Sequence, residues 1–150
     1  MAFYPDETDC TYFKDAPKLI AIGWLDASHA FTRARVEHSF FDKLGQLFIK
    51  PWEPYCLAGR HECEFCRFTG GPAALAVNGT KVFLGSSNLF VPAASTMYVV
   101  PSMALHYIDA HEYAPPVAFQ HAVMNCPSTE STEYLTTIQE YGLTRIGLRV

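Results

Sequence analysis

Gly59-Arg-His-Glu-Cys-Glu-Phe-Cys66 runs through Thr69-Gly-Gly-Pro72 into Ala73-Ala-Leu-Ala-Val-Asn-Gly-Thr-Lys-Val-Phe-Leu84. A cysteine pair, a breaker run and a hairpin signal follow one another. Asn78-Gly79 stands between two apolar runs. A two-residue loop of this type needs φ > 0 at both positions, which Asn and Gly adopt at least cost. Ala73 to Val77 and Thr80 to Leu84 therefore read as the arms of an antiparallel hairpin. Cys63 and Cys66 have C-x-x-C spacing, where a short turn brings both sulfurs to one side, within reach of one metal ion. The stretch thus reads as an antiparallel β region entered from a metal-binding turn.

Beyond the hairpin, Asn88-Leu-Phe-Val-Pro92 and Thr96-Met-Tyr-Val-Val-Pro101 read as two further strands, each with a proline that cannot donate to a sheet ladder and so closes the strand or lies at an edge. Ser102 is placed to cap a helix from Met103 to about Asp109 or Ala110. Tyr113-Ala-Pro-Pro116 is a turn, and Pro116 suits the first turn of a helix reaching about Met124. Ser128 or Ser131 can start a last helix that Gly142 ends, and Leu143 to Val150 is a short strand or a frayed end.

On the other side of the opening stretch, Val36, Phe40, Phe41, Leu44, Leu47 and Phe48 recur at the spacing of an amphipathic helix, which Pro51 stops. Lys18-Leu-Ile-Ala-Ile-Gly-Trp-Leu25 is apolar and reads as a buried strand. Residues 1–17 read as an irregular arm that packs Tyr4, Tyr12 and Phe13 onto the body. The order of elements is that of an α+β protein: a small antiparallel sheet with flanking helices, and one zinc site linking the C-x-x-C turn to a helix end. With 150 residues and no repeat or linker, residues 1–150 are expected to form a single domain.

The second half of the metal site is His106-Tyr-Ile-Asp-Ala-His111, an H-x4-H spacing within the range of structural zinc sites. Five helical positions turn by about 500°, so the two imidazoles do not align on an ideal helix. Either the last turn tightens or His111 lies just past the helix end. The ligand logic is that of the ββα zinc finger, but 39 residues separate Cys66 from His106, where the short finger has roughly 12–15. Neither membership of that family nor its DNA binding follows.

Cys63, Cys66, His106 and His111 are thus the expected ligands of a structural zinc, with His61 as an alternative to one of the later histidines. A thioredoxin-type pair is disfavoured because Thr69-Gly-Gly-Pro72 opposes the helix that would lower a thiolate pKa. Two buried thiols with two core histidines is the plain alternative. A catalytic zinc needs an open coordination position and a nearby base. Glu62, Glu64, Asp109 and Glu112 are close in sequence, but neither HExxH nor the zinc-deaminase pattern is met. No catalytic residue is assigned. The rival is a zinc-dependent hydrolase or an acid–base enzyme using Asp26 and His29, where a strand end meets a loop.

A composition of 49% hydrophobic and 17% charged residues suits a packed core, and the net charge of −4 lacks the basic footprint of a nucleic-acid binder. Met1 to Cys10 resembles no signal peptide, and no apolar run approaches a membrane span. A cytoplasmic location is expected, where an odd count of five cysteines stays reduced.

Three groups of residues together resemble a group of small uncharacterised bacterial proteins. They are Gly23-Trp24-Leu25-Asp26 with His29 and Phe31; Gly59-x-His61-x-Cys63-x-x-Cys66; and His106-Tyr107-x-x-x-His111-x-Tyr113-x-Pro115-Pro116. The resemblance implies one compact domain of bacterial type and carries over no activity. The portion after Cys126 is peculiar to this chain. Together these observations lead to the expectation of a non-enzymatic, zinc-stabilised module that binds a protein partner.

Overall fold

A computed structural model of the chain describes residues 2–53 and 60–144. Gly59, Cys56 and the last six positions of the 143–150 reading therefore lie outside the described residues. Among the described residues nine elements follow in chain order: β1 (Ile20–Ala21), α1 (His38–Ile49), β2 (Ala74–Val77), β3 (Thr80–Phe83), β4 (Asn88–Pro92), β5 (Met97–Pro101), α2 (Met103–His111), α3 (Val117–Asn125) and α4 (Thr132–Tyr141). The fold is α+β, with a three-stranded sheet ordered β1-β5-β4 and a two-stranded sheet β2-β3.

The hairpin forms with Val77 opposite Thr80 across Asn78 and Gly79, both at positive φ. Its Val77 faces α1, where Gly45 leaves the room: a Cβ on Gly45 would lie 2.4 Å from Val77 Cγ1. The apolar stripe of α1 buries Phe40, Leu44, Leu47 and Phe48 as its spacing predicts.

β5 is buried along its whole length and forms the centre of its sheet, antiparallel to β4 and parallel to β1. The reading of residues 18–25 as a strand is borne out for two of them. The irregular arm occupies the flank: Cys10 N–H donates to Leu19 O, Ala21 N–H to Thr8 O and Glu7 N–H to Ala21 O. Beyond Ile22 the chain turns away at Gly23, where φ is +74°. The arm also surrounds the buried Trp24 with the rings of Tyr4, Tyr12 and Phe13, while the Trp24 indole N–H donates to Val99 O at 3.0 Å. Asp6 anchors it further, accepting from Gly23 N–H at 2.9 Å and from the Tyr113 hydroxyl at 2.8 Å.

α2 starts after Ser102, but Ser102 does not cap it. This residue already has helical torsions, φ −60° and ψ −27°, and its buried Oγ instead accepts from Gly85 N–H at 2.9 Å. A β-region torsion is what aims a capping oxygen at the first turn, and Ser102 lacks it. Ser131, at ψ 152°, does cap α4, accepting from Tyr134 N–H, and Gly142 ends that helix. α4 is fastened to the sheet by Tyr134, which is fully buried and donates its hydroxyl proton to Phe90 O at 2.7 Å.

Candidate metal centre

The Cys63–Cys66 turn is shaped by its own backbone. Cys63 N–H donates to Gly70 O at 2.6 Å and closes a small loop, and His61 N–H ties the segment entering the turn to Gly85 O at 2.7 Å. The amides of Phe65 and Cys66 point at the Cys63 sulfur and favour its thiolate. One Arg60 nitrogen donates to Gly71 O and Pro72 O, both at 2.7 Å, so a guanidinium stabilises the exit from the turn. Phe65, between the two cysteines, packs edge-on against Phe31 and Tyr107 and lies 5.3 Å from the His111 ring.

The other side of the site is α2, from its fourth residue, His106, to its last, His111. His106 is 4% exposed, on the face of the helix that meets the turn. His111 is the last helical residue. Glu112 then takes a left-handed torsion, φ +59°, and its N–H donates to Tyr107 O. A helix end was expected here, and it falls immediately after His111. Residues 32–34 secure that end: Ala34 N–H donates to Glu112 O, Ala114 N–H to Thr32 O, and Arg33 Nη1 to His111 O at 3.0 Å.

His111 is thus still helical rather than just past the end, and the two imidazoles meet although they stand five helical positions apart. Their centroids are 5.0 Å apart with the planes nearly perpendicular. His106 Nε2 lies 3.3 Å from Cys66 Sγ, and His111 Nε2 lies 3.4 Å from Cys63 Sγ and 3.5 Å from Cys66 Sγ. The four ligand atoms all fall within 4.8 Å of one another, so this Cys2His2 cluster can hold a metal ion. Gly71 makes the approach feasible: at φ +85°, a Cβ there would lie 2.9 Å from Cys63 Cβ and 3.3 Å from His106 Nε2.

Burial sets the protonation of the donors. His106 is held below the usual imidazole value by burial first, then by His111, with Arg60 adding to the effect; Asp109 works against it. Burial and Arg33 lower His111. Both shifts favour the neutral ring, the form that binds metals. Burial pushes the Cys63 thiol up, and the adjacent Cys66 adds to this. A bound cation reverses that balance by displacing the thiol proton.

His61 is not a member of the four-residue cluster; its backbone joins the turn to Gly85. Asp26 and His29 do meet, with Nδ1 2.7 Å from Oδ1, and the half-exposed His29 ring stacks on Phe3 at 3.8 Å. Cys10 and Cys126 are buried apart from the site, as small apolar residues. Sequence reasoning did not assign Arg60, Arg33 or Gly71 to the centre. Arginines that serve backbone carbonyls leave no spacing pattern. Gly70-Gly71 was read as a breaker, although two glycines after a C-x-x-C also indicate a demand for positive φ.

Fold and site together define an α+β protein built around a Cys2His2 cluster able to hold a metal ion. The chain belongs to the family described as Domain of unknown function (DUF7919), whose model matches residues 2–124. The match spans every residue of the cluster and ends before α4. No curated protein matches the chain. No solved structure matches it either.

Proposed function

We propose that the chain is a non-enzymatic, single-domain module, stabilised by one structural zinc ion and acting by binding another protein. The observation that carries this reading is the geometry of the cluster. In a zinc tetrahedron with Zn–S roughly 2.3 Å and Zn–N roughly 2.05 Å, a sulfur–nitrogen edge is about 3.6 Å. Three such edges here measure 3.3, 3.4 and 3.5 Å. Two sulfurs and two imidazoles also suit zinc rather than magnesium or calcium, which prefer oxygen donors. Four protein donors complete a tetrahedron and leave no position for a reacting water. Zinc bound there would cross-link the 63–66 turn to α2.

Binding is supported by Phe68, which is 95% exposed on the metal turn, and by Phe83, exposed on the hairpin that follows. Thiol ligands call for a reducing compartment, so the proposed location is the cytoplasm. No described helix is long and apolar enough to cross a membrane.

Metal analysis of the purified chain is expected to give one zinc per molecule. Cys63→Ser and His106→Ala are each expected to lose the metal and to melt at lower temperature, because zinc binding is coupled to folding. Cobalt substitution should give the intense visible bands of a four-coordinate site. A wild-type chain that is metal-free and fully stable overturns the reading. A five-coordinate cobalt spectrum, with a water ligand, would favour the second reading instead: an enzyme in which the Asp26–His29 pair, in contact at 2.7 Å, acts as acid–base partner.

A further inference from the structure

The four described cysteines fall into two classes. Cys10 and Cys126 are buried, and burial pushes both thiols up to about 11, so little thiolate forms on them at neutral pH. Cys63 and Cys66 share the metal cluster, and there exposure is unequal. Cys66 is partly exposed, whereas Cys63 is 2% exposed behind it. Their sulfurs lie within 4.8 Å of each other on one short turn. A small electrophile arriving from solvent therefore meets Cys66 first and finds Cys63 as the adjacent second thiol.

Building on the zinc site proposed above, we infer that Cys63 and Cys66 form a redox switch, oxidised to a disulfide by a two-electron oxidant of the peroxide class with loss of the metal. In the first step the Cys66 thiolate sulfur attacks one peroxide oxygen. The O–O bond breaks, hydroxide leaves and takes up a proton as water, and Cys66 becomes a sulfenic acid. In the second step the Cys63 thiolate attacks the Cys66 sulfur. The S–S bond forms, the S–O bond breaks, and the departing hydroxide takes up a proton as a second water. Each sulfur gives up one electron and the peroxide gains two. His106 and His111 remain, two donors where a structural zinc needs four.

The consequence is confined to the turn. The core packing of Phe65 on Phe31 and Tyr107 does not depend on the sulfurs, and neither does the Arg60 grip on Gly71 and Pro72. The metal cross-link from the turn to α2 is lost, while the contact of Phe65 with Tyr107 of α2, the hairpin and the sheets stay in place. The switch thus acts on the segment that carries the exposed Phe68.

The test uses the full zinc-loaded chain. It is titrated with hydrogen peroxide while released zinc is read with a chromogenic chelator, and the products are mapped by mass spectrometry. The expected result is one zinc released per chain, in step with a Cys63–Cys66 peptide lighter by two hydrogens. A dithiol reductant with added zinc should restore the starting state. Replacing Cys10 and Cys126 with serine should leave the release unchanged. Zinc retained at peroxide levels that oxidise other residues overturns the switch alone. So does release accompanied by sulfinic acid at Cys66 without the disulfide. A chain that never binds zinc overturns the metal site, and the switch with it.

Discussion

Substituting Gly71 tests the metal centre through a single methyl group, and Gly79 supplies the control. Both glycines have positive φ, +85° and +76°. Alanine at either position bears the cost of a left-handed backbone, about 1–2 kcal/mol. The surroundings differ. A Cβ at Gly79 has nothing within 4 Å, whereas at Gly71 it lies 2.9 Å from Cys63 Cβ and 3.3 Å from His106 Nε2. Overpacking of that kind costs about 1–3 kcal/mol. The crowding falls between Cys63 and His106, two of the four residues that must converge for all the donors to reach one ion. Gly71→Ala should therefore weaken zinc binding by about 5- to 150-fold, at about 1.4 kcal/mol per factor of ten. Gly79→Ala should lower thermal stability and leave zinc affinity at the wild-type value. Competition against a chromogenic chelator measures both affinities. If the two variants bind zinc equally well, the close approach at Gly71 is not what allows the ligands to converge.

Other substitutions probe the scaffold. Gly45→Ala gains about 1 kcal/mol in helix propensity but drives a methyl into Val77, so a net loss of up to about 2 kcal/mol is expected in urea melts; adding Val77→Ala should recover part of it, and an unchanged or raised midpoint for the single variant would contradict the packing described. Tyr134→Phe leaves Phe90 O without its donor and should cost about 1–2 kcal/mol, and a neutral result would mean that water replaces the hydroxyl. Asp6 gives a pH signature: burial raises its carboxyl above the ordinary 3.8, outweighing the lowering by Gly23 N–H and the Tyr113 hydroxyl. An acid raised in the folded state contributes stability that is full below 3.8 and is lost as pH rises through the folded value. The stability of wild type relative to Asp6→Asn should therefore fall as pH rises from acid towards neutral, and a flat or rising difference would refute the assignment.

Local signals in the sequence were reliable wherever one residue type answers one geometric demand. Asn78-Gly79 placed the hairpin turn, Gly142 and Ser131, the second of two candidate serines, bounded α4, and the 3.6-residue stripe located α1 to within two residues. The cluster of Cys63, Cys66, His106 and His111 was legible for the same reason, since metal coordination restricts both residue type and spacing. What escaped was non-local. The parallel pairing of Ile20 and Ala21 with β5 joins segments far apart in sequence, and the arm's claim on the same residues shortens β1. Ser102 carries a capping residue's identity, yet its hydroxyl serves Gly85, in the loop after β3. Arg60 and Arg33 act on backbone carbonyls, and any residue type supplies a carbonyl.

The Asp6–Tyr113 hydrogen bond has a practical consequence at the bench. Tyr113 stands two residues beyond His111, so the arm's carboxylate props the very helix end that presents His111. A protease that clips the arm between Asp6 and Phe13, or a tag fused ahead of Tyr4 that drags it loose, would act on metal loading without touching a cysteine or histidine. Preparations that differ only in how the arm was trimmed should therefore be compared for metal content before being compared for anything else.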